Sequence, residues 1–141
     1  MRPYYLLDTN IICEGAKKIP DEKVMAKLRK FASVSAVSSI TVAEIWKGIQ
    51  LLPDGHRRDK YMNFFENELR PLYPQIPFEE HSALIYGECE AEEEKKGRPR
   101  PQLDLLIAAT AIANNMILVT RNTADFEDIP GLMMENWFEE S

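Results

Sequence analysis

Short apolar runs of strand length recur along this chain, each followed by a stretch with helical periodicity, and that alternation restricts the fold more than any other feature. Tyr4–Asp8 reads as a buried strand and Thr9–Lys17 as a brief helix ending before Ile19-Pro20. Asp21 is placed to cap an amphipathic helix reaching Phe31, in which Val24, Met25, Leu28 and Phe31 recur at helical spacing. Val34–Ser38 alternates as a second strand. Thr41–Leu52 follows as a helix with Val42, Ile45, Ile49 and Leu52 inward, and Pro53-Asp54-Gly55 stops it. A polar helix from about Arg57 to Leu69 gives way at Pro71. The stretch Pro74–Phe78 is a short strand that its prolines confine to a sheet edge. Glu79–Lys96 is a charged helix broken at Gly97, Leu103–Asn114 is an alanine-rich central helix, and Ile117–Thr120 is the strand it feeds. Leu132–Met134 adds a last short strand. Helices alternating with apolar strands favour an α/β fold, a mostly parallel sheet covered on both faces. No repeat or linker interrupts the pattern, so residues 1–141 are expected to form one domain.

A hydrophobic share of 45% and a charged share of 28% are those of a soluble globular protein, and no apolar run is long enough to span a bilayer. The N-terminus, Met1-Arg2-Pro3-Tyr4, enters a strand directly with no export signal in view, so a cytoplasmic location and no membrane contact are expected. Cys13 and Cys89 have no metal-site spacing, which leaves two reduced structural thiols. The net charge of −6 argues against a long nucleic-acid footprint, though a metal-centred site gripping a few nucleotides needs less basic surface.

Four carboxylates stand where the apolar segments end or begin: Asp8 closes the first strand, Glu44 follows the second, Asp104 opens the alanine-rich helix, and Asp125 follows Ile117–Thr120. In an open parallel sheet the strand carboxyl ends lie along one edge, where acids distant in sequence converge. Such carboxylates repel one another unless a divalent cation lies among them, and hard oxygen donors suit Mg²⁺ or Mn²⁺. Each acid also has a plainer explanation. Asp8 can cap the next helix. Thr41-x-x-Glu44 matches a capping box, Asp104 complements a helix dipole, and Asp125 fits an Asx turn. Asp104 also heads a stripe of Ile107, Ala108, Ala111 and Ile112, where an uncompensated carboxylate is costly. Gly48, one turn beyond Glu44, leaves space beside that acid.

The segments carrying these acids resemble one family. Leu6-Leu7-Asp8-Thr9-Asn10, Ser39 through Gly48 around Glu44, Asp104 through Ala111, and Thr120-Arg121-Asn122-Thr123-Ala124-Asp125-Phe126 are similar to PIN-domain endoribonucleases, and more narrowly to the toxin subunits of VapBC-type toxin–antitoxin pairs. The resemblance covers nearly the whole chain. It implies a three-layer α/β/α sandwich, an acidic quartet of Asp8, Glu44, Asp104 and Asp125, and Asp8 with Asp104 as direct metal ligands. Thr9, Asn10, Thr120 and Asn122 match orienting positions. A cognate antitoxin, an RNA substrate and a homodimer are the implied partners.

The chemistry expected is Mg²⁺- or Mn²⁺-dependent hydrolysis of RNA phosphodiester bonds, with water attacking in line. Lys47, Arg98, Arg100 and Arg121 are candidates for phosphate contacts, since the arginine fork matches phosphate geometry. The acidic run Glu90 to Glu94 reads as a solvated helix face, and His56 and His81 as surface residues. Trp46 and Trp137 read as packing or partner-surface residues rather than base-stacking ones. Two rivals remain. A small Mg²⁺-dependent phosphatase fits less well, because Asp8-Thr9-Asn10 lacks a second aspartate two residues on. A catalytically silent PIN-like antitoxin-binding or assembly module would not need four acids.

Overall fold

The computed structural model describes residues 3–139; Met1, Arg2, Glu140 and Ser141 lie outside the described residues. Its centre is a five-stranded sheet of β1 (Tyr5–Leu7), β2 (Ser35–Ser38), β3 (Gln75–Ile76), β4 (Ile117–Val119) and β5 (Met133–Glu135). The strands are all parallel and stand in the order β3-β2-β1-β4-β5. Helices α1 (Thr9–Ile12), α2 (Glu22–Lys30), α3 (Ser39–Leu51), α4 (His56–Phe64), α5 (Arg70–Leu72), α6 (Glu80–Lys96) and α7 (Gln102–Ala113) complete the fold. No described helix is long and apolar enough to cross a membrane.

Side chains alternate across a strand, and here both faces are buried. Leu6, Ala36 and Leu118 stand side by side in register and join Leu105, Ala108 and Ala111 of α7 in one core. Leu7, Val37 and Val119 point the other way and pack with Ile11, Val24, Ile45, Phe64 and Trp137. Trp137 is fully enclosed, with its ring against Tyr5 and Phe31, so it is a packing residue.

From β1 the chain steps outward on one side to β2 and β3, then returns to the other side for β4 and β5. The reversal opens a crevice between the carboxyl ends of β1 and β4, where doubly wound sheets place their ligands. Register carries this to the side chains: Leu7 pairs with Val119, so Asp8 and Thr120 leave the sheet together, and the Asp8 N–H donates to the Val119 carbonyl at 2.9 Å.

Three local expectations need correction. The first helix is α-helical only over Thr9–Ile12 and tightens to 3₁₀ turns over Cys13–Ala16. The third helix begins at Ser39, and the Ser38 hydroxyl accepts the Thr41 N–H at 2.9 Å. The capping box read from Thr41 and Glu44 is therefore not formed, and Glu44 is free of that duty. The polar helix also runs through Pro71 instead of ending there. Its chain widens into a π turn over Phe65–Leu69, in which the Arg70 N–H reaches the Phe65 carbonyl, before α5. A widened turn relieves the clash a proline ring makes with the carbonyl four residues back. At the end of α6, Gly97 takes φ +66°, the left-handed conformation that favours glycine in a helix stop.

Candidate functional site

Asp8 is the organising residue. It follows β1 directly and is 7% exposed, and each carboxylate oxygen is held. Oδ1 accepts the Thr9 N–H at 2.9 Å, which also caps α1. Oδ2 accepts the Thr120 hydroxyl at 2.8 Å, and the Asn10 amide approaches it at 3.4 Å. The Thr120 hydroxyl in turn accepts the Asn122 N–H at 3.1 Å. Asn10 turns its carbonyl oxygen to the Arg121 N–H at 2.9 Å, stapling the segment after β4 to the segment after β1. Donors from two strand ends thus hold both oxygens of one buried carboxylate in place.

Asp8 faces a cavity of about 400 Å³ that Glu44, Asp104, Thr9, Asn10 and Asn122 also line. Glu44 reaches it from α3, with the Thr9 hydroxyl donating at 3.4 Å. Asp104 reaches it from the first turn of α7, so it follows no strand; α7 precedes β4 and brings its N-terminus to the same edge. The acids influence one another. Burial first, then the charge of Asp8, push the Glu44 carboxyl above its ordinary range, with Asp104 adding and Thr9 and Lys47 opposing. Asp104 is raised likewise by burial, Asp8 and Asp125, with Arg100 opposing. Burial pushes the Cys13 thiol at the cavity wall up to about 11, with Asp8 and Glu44 adding. It is therefore a neutral thiol near pH 7 rather than a nucleophile.

The array is wider than a compact quartet. Among the described residues no three Asp, Glu, His or Cys side chains form a ready chelating group. Asp125 is exposed in a 3₁₀ turn, Thr123–Phe126, and does not line the cavity; its charge reaches Asp104 from the rim. Shared negative charge, oxygen donors and raised carboxyl pKa values nevertheless fit a hard divalent cation.

The expected phosphate contacts divide. Arg121 lines the cavity, its guanidinium 4.4 Å from the Phe138 ring centroid. Lys47 is exposed on α3 and outside the cavity wall. Arg98 and Arg100 do not line the cavity and are engaged with other groups. Arg100 donates to the backbone carbonyls of Asp125 and Glu127 and pairs with Glu93 at 3.2 Å, while Arg98 pairs with Glu93 and Asp128. These arginines brace the turn that carries Asp125.

Glu93 is the residue that the reading of a solvated acidic run missed. It is 3% exposed and anchors both arginines. Its signal was positional: Ser82, Tyr86, Cys89 and Glu93 lie at helical spacing on the inward stripe of α6. Cys13 and Lys17, also at the cavity wall, were legible in the same way, following Thr9 at steps of four.

Fold and pocket together define a doubly wound α/β protein with an acidic site at the reversal of its strand order. The PIN domain pattern matches residues 5–132, and the chain belongs to the PIN-domain family. It is 36% identical to Ribonuclease VapC2 of Rickettsia felis over 138 residues, 94% of this chain and 97% of that protein. It is 34% identical to Toxin FitB of Neisseria gonorrhoeae over 124 residues, 86% of this chain and 89% of that one. Among solved structures, FitAB bound to the IR36 DNA fragment superposes with a TM-score of 0.86 at 31% identity, covering 97% of both chains. VapBC2 from Rickettsia felis, bound to a DNA fragment from its promoter, superposes with a TM-score of 0.80 at 34% identity, covering 97% of this chain and 99% of that one.

Proposed function

We propose that this protein is a divalent-cation-dependent endoribonuclease of the VapC type, the toxin of a toxin–antitoxin pair, and that Asp8, Glu44 and Asp104 form its working site with Asp125 at the rim. The observation that carries this is the shared cavity: three carboxylates from three separate elements face one space at the switch point, and the most buried is fixed by side-chain and backbone donors. Full-length similarity to proteins named VapC ribonucleases supports RNA as the substrate.

Asp8 and Asp104, with Glu44, would hold Mg²⁺ or Mn²⁺. When bound, the cation supplies a water of lowered pKa and neutralises charge on the phosphodiester. The protein's own part is positional and electrostatic. Thr120, Thr9 and Asn10 hold Asp8 aimed into the cavity. Glu44, with the Thr9 hydroxyl donating to it, faces the same space from α3 and adds its oxygens to the donor set. Arg121 at the cavity wall supplies positive charge for a substrate phosphate. The antitoxin is a partner by similarity to the FitAB and VapBC2 complexes, and a second copy of the chain is a further expected partner.

The test incubates partner-free protein with total cellular RNA and Mn²⁺ or Mg²⁺, alongside EDTA and Asp104→Asn. Discrete new ends, absent in both controls, are expected. Cutting that persists in Asp104→Asn would remove Asp104 from the site, and folded, metal-supplied protein that cuts nothing would turn the reading towards a silent antitoxin-binding module.

A further inference from the structure

Arg100 stands where three parts of the scaffold meet. It lies between Pro99 and Pro101, and Pro101 immediately precedes α7, so stiff backbone sets its place relative to Asp104 on the first turn of that helix. Its side chain is 13% exposed, with Nε 3.2 Å from Oε2 of the buried Glu93 on α6. Its two terminal nitrogens fork across the end of the Thr123–Phe126 turn: one donates to the Asp125 carbonyl at 2.6 Å, the other to the Glu127 carbonyl. Arg100 therefore ties α6, the start of α7 and the segment after β4 together at one point.

Its choice of acceptors is informative. Asp125 and Glu127 each carry a carboxylate, the stronger partner for a guanidinium, yet Arg100 takes their main-chain oxygens. The Asp125 carboxylate is thus left without a hydrogen bond or ion pair among the described residues. Its charge is felt by Asp104: burial and Asp8 push the Asp104 carboxyl up most, Asp125 adds to them, and Arg100 opposes. Like charges held together cost stability unless a cation gains from them. Phe126 anchors the far end of the turn in the core, so what Arg100 adds is control over where residues 125–127 sit.

Resting on the cation site of the ribonuclease reading, we propose that Arg100, seated on Glu93, is a positioning residue for that site: it holds the turn by its main chain so that the free Asp125 carboxylate stands beside Asp104 and adds to the oxygen donors. Charge alone and positioning predict opposite signs. A guanidinium near an acidic site repels a cation, so removing it should tighten cation binding if charge were its only effect. If it positions Asp125, removing it weakens binding instead.

The experiment measures Mn²⁺ affinity of the partner-free, metal-free full chain by titration, following the paramagnetic resonance signal of the free ion, with RNA cleavage scored separately. Arg100→Gln should bind Mn²⁺ about tenfold more weakly, the low end of the cost of losing a partner that orients a metal ligand. Arg100→Lys keeps the charge but cannot span two carbonyls, and should also weaken binding. Asp125→Asn should weaken binding by itself, and on that background Arg100→Gln should weaken it no further, because the carboxylate it positions is gone. Circular dichroism establishes which variants are folded; should Arg100→Gln not fold, the milder Arg100→Lys carries the comparison. Unchanged or tighter Mn²⁺ binding in the folded Arg100 variant overturns the proposal, as does an equal weakening with and without the Asp125 carboxylate. A loss of stability with Mn²⁺ affinity intact makes Arg100 merely structural and overturns it too. If wild type binds Mn²⁺ and cuts RNA, any of these results leaves the ribonuclease reading standing. If the expected Mn²⁺ pattern appears but wild type cuts no RNA, the positioning role holds and that reading fails. A wild type that binds no Mn²⁺ overturns the proposal, and cleavage alone then decides the reading.

Discussion

Thr120→Val isolates the bond on which the geometry of Asp8 depends. The change keeps the β-branched shape and replaces only the hydroxyl, at a position that is fully buried. Two hydrogen bonds disappear, the donation to Asp8 Oδ2 at 2.8 Å and the acceptance from Asn122 N–H at 3.1 Å. A bond to a charged group contributes about 1.5–3 kcal/mol, and water can replace the acceptor for the amide of Asn122, an exposed residue. The loss should therefore be roughly 1.5–3 kcal/mol, a fall in Tm of roughly 5–10 °C for a domain of this size. Thr120→Ser is the control: it keeps both bonds and loses one buried methyl, at a cost of about 1 kcal/mol. Urea unfolding of the metal-free protein, followed by tryptophan fluorescence, reads both. Asp8→Asn completes a double-mutant cycle in which the Thr120→Val loss should shrink, because the charge it serves is gone. Equal stability of Thr120→Val and wild type, or a greater loss in Thr120→Ser than in Thr120→Val, would refute the account of how Asp8 is fixed.

Two further outcomes follow from the charges. Because the folded-state pKa of Glu44 is raised, its ionised form destabilises the metal-free fold. That penalty is in force above the folded pKa and disappears as pH falls through it, so Glu44→Gln should be more stable than wild type near neutrality and lose its advantage at about pH 4. Urea midpoints at matched pH check this, and a constant difference between the two proteins across the range would contradict it. Glu93→Gln removes the buried carboxylate that holds Arg98 and Arg100 and should cost about 3 kcal/mol. Hydrogen exchange should then speed up selectively over residues 98–100 and 123–128; uniform acceleration across the sheet would refute a local bracing role.

The sequence carried the elements and their order to a large extent, because the signals that set them are local. Period-two and period-3.6 apolar patterns placed the strands and most helices, Asp21 capped α2 as read, and Gly97 ended α6. The acids Asp8, Glu44 and Asp104 stood out for the same reason, as charge at the ends of apolar runs. What no local signal encodes is which strand lies beside which. The order β3-β2-β1-β4-β5 puts Thr120 against Asp8 across 112 positions of chain, and it makes the crevice between β1 and β4 the site. Tertiary packing also decided the fates of like side chains. It sent Glu93 inward to hold two arginines that composition alone offers to phosphate, left Asp125 at the rim, and gathered Lys17, Lys18, Arg57 and Lys60 around one space from two separate segments. A sequence fixes what each side chain is; whether its charge is answered depends on neighbours that only folding brings within a few ångströms.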